Sequence, residues 1–190
     1  MAAYTNDLRL KEIATGDESG TWGTSTNTNL ELIGDAFGYG TEAITTNADT
    51  HTTTIADGSA DAGRAMFLKY TGTLDSTCTI TIGPNTVSKV WIIENATSGS
   101  QSIIIKQGSG ATVTIPTGMT SLVYSDGAGS GGAMIDALTD LNVASSLNIG
   151  GSGAAVTDVL DLTGGTGNVG LGSGAITSFF MPTASLGMRI

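Results

Sequence analysis

The sequence predicts an all-β fold: an extended N-terminal arm with one short helix, a β-sandwich or jelly-roll-like domain, and a Gly-rich C-terminal part. Three observations predict it. Thr (30), Ser (18) and Gly (28) supply 76 of the 190 residues; Thr and the β-branched aliphatics favour strands, while Gly and Ser favour turns. Hydrophobic residues make up 39% and charged residues only 13%, which is not the low hydrophobicity and high charge density of a disordered chain. Finally, short apolar segments recur about every ten residues with turn residues between them, the spacing of a layered β domain.

The arm is residues 1–50. Leu8, Leu10 and Ile13 predict a short extended segment. Residues 15–23 (TGDESGTWG) are too rich in turn formers for a helix. Asn27 or Asn29 can cap a helix over residues 30–37, where Leu30, Leu32, Ile33 and Phe37 have near-helical spacing. Gly38 and Gly40 would stop it. Trp22, between Thr21 and Gly23, either anchors on a partner or caps the local core.

Residues 51–126 form the strand-rich domain. Strands are expected at 52–55, 65–70, 77–82, 87–94, 102–106, 111–115 and 121–124. Trp91 lies in the densest apolar run and reads as core. Cys78 alternates with Thr77 and Thr79 and reads as a small apolar residue. The Gly-rich stretch 126–132 suggests a boundary, and no Lys or Arg occurs between Gln107 and Met188.

Residues 133–190 hold short apolar pairs beside Gly or Ser, among them Leu147/Ile149, Leu160/Leu162 and Val169/Leu171. Strands of three or four residues bury too little apolar surface to be stable alone. Stacked turns or several chains wound together would supply the missing partners, and these six residues are the expected shared core; a flexible linker is the alternative reading.

Composition excludes several functions. A formal net charge of -10 opposes nucleic-acid binding, which needs clustered Lys and Arg. No apolar run is long enough for a transmembrane helix, so no membrane insertion is expected, and no apolar signal-peptide core follows Met1. One Cys and one His exclude a disulfide framework and every two-histidine motif. Gly165-Thr166-Gly167-Asn168-Val169-Gly170 has the form G-x-G-x-x-G, but Leu171-Gly172-Ser173-Gly174 cannot start the helix that a dinucleotide site requires. Gly164–Val169 is similar in form to a calcium nonapeptide, with Val169 where the ligating Asp should stand. The acidic pairs Asp17/Glu18, Asp57/Asp61 and Asp158/Asp161 lie in turn-like sequence and read as surface charge. His51 has no nucleophile motif nearby. Asn95-Ala96-Thr97 is a glycosylation sequon in form only. No enzyme activity, cofactor or metal is expected.

Residues 13–30 (IATGDESGTWGTSTNTNL) resemble the N-terminal segment of tail-fibre and related virion proteins of marine tailed bacteriophages. Residues 147–153 (LNIGGSG) and 167–172 (GNVGLG) look like the shaft sequences of phage fibres. The resemblance covers the first forty residues well and the last forty loosely. It implies a homotrimeric structural protein of the virion, assembled in the host cytoplasm, whose N-terminus docks on the tail and whose distal part faces the host. Leu8, Leu10, Trp22, Leu30, Ile33 and Phe37 are then the expected docking residues. The expected partners are the chain itself, other phage tail or virion proteins, and in a host-facing role a host surface glycan. Long fibres usually continue into a receptor-binding head or a self-cleaving chaperone domain, and here the sequence ends at Arg189-Ile190. Two alternatives are a capsid decoration or head-fibre protein, and a carbohydrate-binding β-sandwich using Trp91, Tyr70 or Tyr124 to stack on sugar. A polysaccharide depolymerase would need a carboxylate groove and a much longer β-helix.

Overall fold

A computed structural model describes residues 3–139 and 141. They form one α-helix, α1 (Trp22–Ala36), one turn of 3-10 helix (Gly129–Gly131) and nine strands: β1 (Tyr39–Ala43), β2 (Thr50–Thr54), β3 (Phe67–Thr71), β4 (Cys78–Gly83), β5 (Val90–Asn95), β6 (Ile103–Lys106), β7 (Val113–Ile115), β8 (Thr120–Ser125) and β9 (Met134–Asp136). The fold is mainly β with a single α-helix and two mixed sheets. All seven strands expected in residues 51–126 are present. β1 and β9 were not expected. The first is short and mostly polar, and the second follows the Gly-rich stretch.

The two sheets have the orders β1-β3-β5-β8-β9 and β2-β4-β6-β7. The chain alternates between them for its first six strands. In the five-stranded sheet β1, β3 and β5 are parallel, with Tyr39 beside Phe67 and Phe67 beside Ile92. In the four-stranded sheet β2, β4 and β6 are parallel, with Thr50 beside Thr79 and Cys78 beside Ile103. The chain therefore winds three times around one core. Then β7 pairs antiparallel with β6, β8 with β5, and β9 with β8. These parallel registers depart from the antiparallel connections of a jelly roll. Alternation along a strand specifies which face is buried but says nothing about the direction of its neighbour.

The core takes alternate residues from both sheets: Leu68, Tyr70, Trp91, Ile93 and Val123 from one, Cys78, Ile80, Ile82, Ile103, Ile105, Val113 and Ile115 from the other. Trp91 is buried as expected, and its indole N–H donates to the Gly63 carbonyl at 2.8 Å. The Tyr70 and Thr53 hydroxyls share a 2.7 Å hydrogen bond across the layers. Asn95, in the sequon, is wholly buried. Its amide donates to the Gln101 and Ile115 carbonyls, and its oxygen accepts from Thr97 N and Oγ1, so it serves as a polar bracket at a corner of the winding.

Two domain expectations change. Residues 39–43, placed in the arm, are strand β1 and belong to the main sheet. The Gly-rich stretch 126–132 is not a boundary: its backbone bonds back to Gly108 and Ser109, and β9 beyond it extends the same sheet. The chain divides instead into the units Met1–Asn142 and Val143–Ile190. The shaft expected in residues 133–190 lies outside the described residues from 142 onward.

Successive turns of the winding approach closely at two glycines. A Cβ on Gly72 (φ +132°) would sit 2.6 Å from the Ile44 carbonyl oxygen, and one on Gly99 (φ +96°) would collide with that of Leu74. Gly118 also has positive φ (+75°) but open space around it. Gly118→Ala should cost about 1 kcal/mol from backbone strain alone. Gly99→Ala should cost at least about 3 kcal/mol, because a backbone collision is added. Urea unfolding of the two variants measures the difference; equal losses would contradict the packing of one turn on the next.

Candidate functional site

The expected docking residues fall on the arm and α1. The helix is longer than its pattern suggested. Trp22, read as a turn residue, is its first residue, and Thr21 caps it without a side-chain bond. Asn29 is not a cap. Its amide donates to the Lys11 carbonyl at 2.9 Å and its oxygen accepts the Lys11 N–H at 3.0 Å, which commits the side chain to holding the arm.

At about 100° per residue, Trp22, Leu30, Ile33 and Phe37 span roughly 80° of the helix surface. Leu32 and Ala36, the buried pair, lie about 100° away around the axis. Trp22 (62% exposed), Leu30 (61%) and Phe37 (72%) are turned to solvent, and Ile33 is half-buried beside them. Leu8 and Leu10 are half-buried in the arm. The structure therefore brings four of the six together on one stripe and leaves Leu8 and Leu10 apart. Exposed apolar side chains grouped in this way mark contact surfaces rather than random scatter.

The arm is not extended. Ala3 and Glu12 form an antiparallel bridge. Asn6 Oδ1 accepts the Leu10 N–H and its Nδ2 donates to the Leu10 carbonyl. The resulting loop is fastened at two places. On the helix side Lys11 pairs with Glu18 and donates to Ser25 Oγ at 3.0 Å; the Glu18 contact raises the Lys11 pKa and lowers that of Glu18. On the β side Arg9 Nη2 pairs with Asp57 at 2.7 Å, Gly58 N–H donates to the Arg9 carbonyl, and Ser88 N–H donates to Asp7. The hydrogen bonds of Thr5 to Glu12 hold that carboxylate below its usual pKa. The ion pairs could not be read from sequence because Arg9 and Asp57 are 48 positions apart.

The acidic pairs that are described do not converge. Asp57 serves Arg9, Glu18 serves Lys11, and Asp61 serves Arg64. Arg64 is wholly buried. Its Nη2 donates to the Ala56 and Ser59 carbonyls at 2.6 and 2.9 Å and to Asp61 at 3.1 Å, while Asp61 also accepts the Ala56 and Arg64 backbone N–H groups. This knot shapes the connection from β2 to β3. His51 lies 2.7 Å from Glu42. Cys78 is buried, and burial raises its thiol pKa. Tyr70 and Trp91 are wholly enclosed and cannot stack on a sugar; Tyr124 is exposed. Among the described residues no group of three or more His, Cys, Asp or Glu could hold a metal ion, and no helix is long and apolar enough to cross a membrane. The expected trimer-core residues Leu147, Ile149, Leu160, Leu162, Val169 and Leu171, together with Asp158/Asp161 and the glycine motifs at 164–170, lie outside the described residues.

Sequence reasoning missed Tyr39, which is 62% exposed and stacks on Phe67 at 5.4 Å. The alternation Phe67/Lys69/Thr71 was the available signal, but no partner strand had been assigned there. No protein-family model matches the chain, no curated protein matches it in sequence, and no solved structure matches it.

Two predictions follow from the buried charges. Asp61→Ala strands the Arg64 guanidinium in the interior and should cost about 3–5 kcal/mol in urea unfolding; a loss below about 1 kcal/mol would show that the knot is dispensable. Lys89 packs over the Trp91 ring at 4.8 Å, and burial lowers its pKa from 10.5 to about 8. Between about pH 8 and 10 the unfolded chain holds a proton there that the folded chain has released, so stability should rise with pH across that window. Above pH 10 buried Tyr70, whose pKa is raised, opposes the rise, because the unfolded tyrosine ionises first. Unfolding midpoints of Lys89→Met should lack the rise; an unchanged slope refutes this assignment.

Proposed function

We propose that this chain is a structural phage virion protein, a tail fibre or fibre-like tail component. In this reading the N-terminal region docks on the tail, the chain assembles as a homotrimer, and the assembled protein contributes to host adsorption. The two-sheet body is a sandwich-like spacer, and the Gly-rich residues beyond it supply the fibre-like part. The observation that carries the proposal is the stripe Trp22–Leu30–Phe37. It lies on a helix fastened to the arm loop through Lys11 with Ser25 and Asn29, a loop that Arg9 and Asp7 in turn fasten to the β body, and most of that helix comes from the segment that resembles fibre N-termini. A protein with a purely internal helix would turn these side chains inward; here they are offered to a partner while Leu32 and Ala36 hold the helix down.

A pre-formed stripe suits docking physically. Its side chains lie on a regular helix anchored at both flanks, so little backbone ordering has to accompany binding. Trp is among the residues that dominate interface energetics when they enter a partner's pocket.

The test is incorporation into particles. Trp22→Asp combined with Leu30→Asp should lower incorporation at least about tenfold, the effect of losing a central anchor. Because both side chains are exposed, thermal stability should change by less than about 1 kcal/mol. Normal incorporation of the folded variant refutes docking through this stripe. Immunogold labelling of the chain on the tail supports the tail reading, and labelling on the head assigns the capsid-decoration alternative.

A further inference from the structure

The outward face of the five-stranded sheet is unusual for a surface. Strand pairing places Tyr39, Phe67, Ile92 and Leu122 side by side in one row across four strands. The next row holds Val90, Tyr124 and Ile135. Tyr39, Val90 and Tyr124 are exposed, and the other four are half-buried. All seven are apolar or aromatic, and contiguous patches of this kind mark interaction sites. On the other side of the first row run Thr41, Lys69, Glu94 and Thr120, with Lys69 and Glu94 paired at 3.1 Å.

We propose that this face docks a second copy of this chain. Charge selects that occupant. The chain carries a net charge of -10, which sets copies against each other over most of their surface. The outward positions of these strands carry one cation and one anion, so the face is neutral where the rest of the protein is acidic. Two such faces meet without net repulsion, and rotation about a shared axis brings Lys69 of one copy toward Glu94 of the other, as a self-complementary interface requires. A basic partner would gain nothing from a neutral patch, and a glycan would find few hydrogen-bonding groups along two apolar rows.

Size fixes the expected strength. Five strands about 4.8 Å apart and three rows about 6.7 Å apart cover on the order of 300–400 Å². That is about half of the ~800 Å² per partner in a standard interface. Phe37, two residues before Tyr39 and 72% exposed, extends the apolar surface toward α1. The contact is therefore concentration-dependent rather than permanent. A self-complementary contact joins copies in pairs, so the inference goes beyond the homotrimer of the functional reading and is independent of where, or whether, the protein sits on a particle.

Analytical ultracentrifugation of the purified full chain from about 1 to 100 μM tests it. The mass should rise above that of one chain within this range. Ile92→Lys and, separately, Tyr124→Lys should weaken association at least about tenfold. Thr52→Lys, on the outward face of the other sheet, should leave it unchanged. Circular dichroism identifies which variants are folded, and either folded variant suffices. A single-chain mass at every concentration overturns the proposal. So does an unchanged mass in a folded Ile92→Lys or Tyr124→Lys. Measured alongside, a folded variant of this face that fails to enter particles, from a wild-type chain that stays single, assigns the face to another virion protein and also overturns self-docking. Loss of incorporation on changing Trp22 and Leu30, with mass unaffected, bears only on the tail-docking reading.

Discussion

The structure depends on one constraint: strands of successive turns stack in register, so that residues at equivalent positions share a face. Side chains alternate with a period of two. Once β3 lies beside β1 and β5 beside β3, every inward residue of one strand meets an inward residue of the next. Leu68 lies beside Ile93, Ile80 beside Ile105, and Cys78 beside Ile103, which is in turn beside Ile115. The core is thus built of ranks, and dense β-branched packing follows from repetition. A slip of one residue would turn each rank outward.

The same constraint produces the surface. Outward residues also line up, so a row of apolar side chains in successive strands becomes a continuous band instead of scattered spots. Tyr39, Phe67, Ile92 and Leu122 are ordinary outward-facing residues taken one at a time, the first exposed and the others half-buried. Stacked in register they form a patch. The Thr50–Thr79 and Thr52–Thr81 neighbours on the other sheet show the polar counterpart. The two outer faces of the body therefore differ in character, one banded with apolar side chains and the other lined with threonines.

Register also places demands on the corners. Where the chain leaves one sheet for the other, the backbone of each turn rests on the carbonyls of the previous one, at Gly72 over Ile44 and Gly99 over Leu74. Polar brackets complete the corners. Asn95 satisfies backbone groups from three segments, and Arg64 with Asp61 gathers the β2–β3 connection. Asn95 is buried with its amide donating and its oxygen accepting, whereas Arg64 bonds through Nη2 alone and leaves its buried Nε and Nη1 without a partner. The arm and α1 are fastened onto this frame by longer-range pairs, chiefly Arg9 with Asp57 and Asn29 with Lys11.

The sequence by itself determined the class and seven of the nine strands, β2 to β8. Alternation in residues 77–82 and the apolar run around Trp91 located β4 and β5 because local periodicity reports which residues face inward. Composition was enough to separate β structure from disorder. The spacing of Leu30, Ile33 and Phe37 located part of α1 and three of the four residues of the stripe it displays. Tertiary structure decided the rest. Strand direction, the place of β1 and β9, and the removal of the boundary at 126–132 depend on which strands pair, and pairing is a long-range choice that a local pattern does not encode. Asn29 looked like a cap because its chemistry suits one; only the arrival of the Lys11 backbone made it a fastener. Tyr39 looked like a residue after a helix stop, and only its register with Phe67 and Ile92 made it the edge of an apolar band. Local sequence fixes what each side chain prefers, whereas the winding of the chain fixes what it meets.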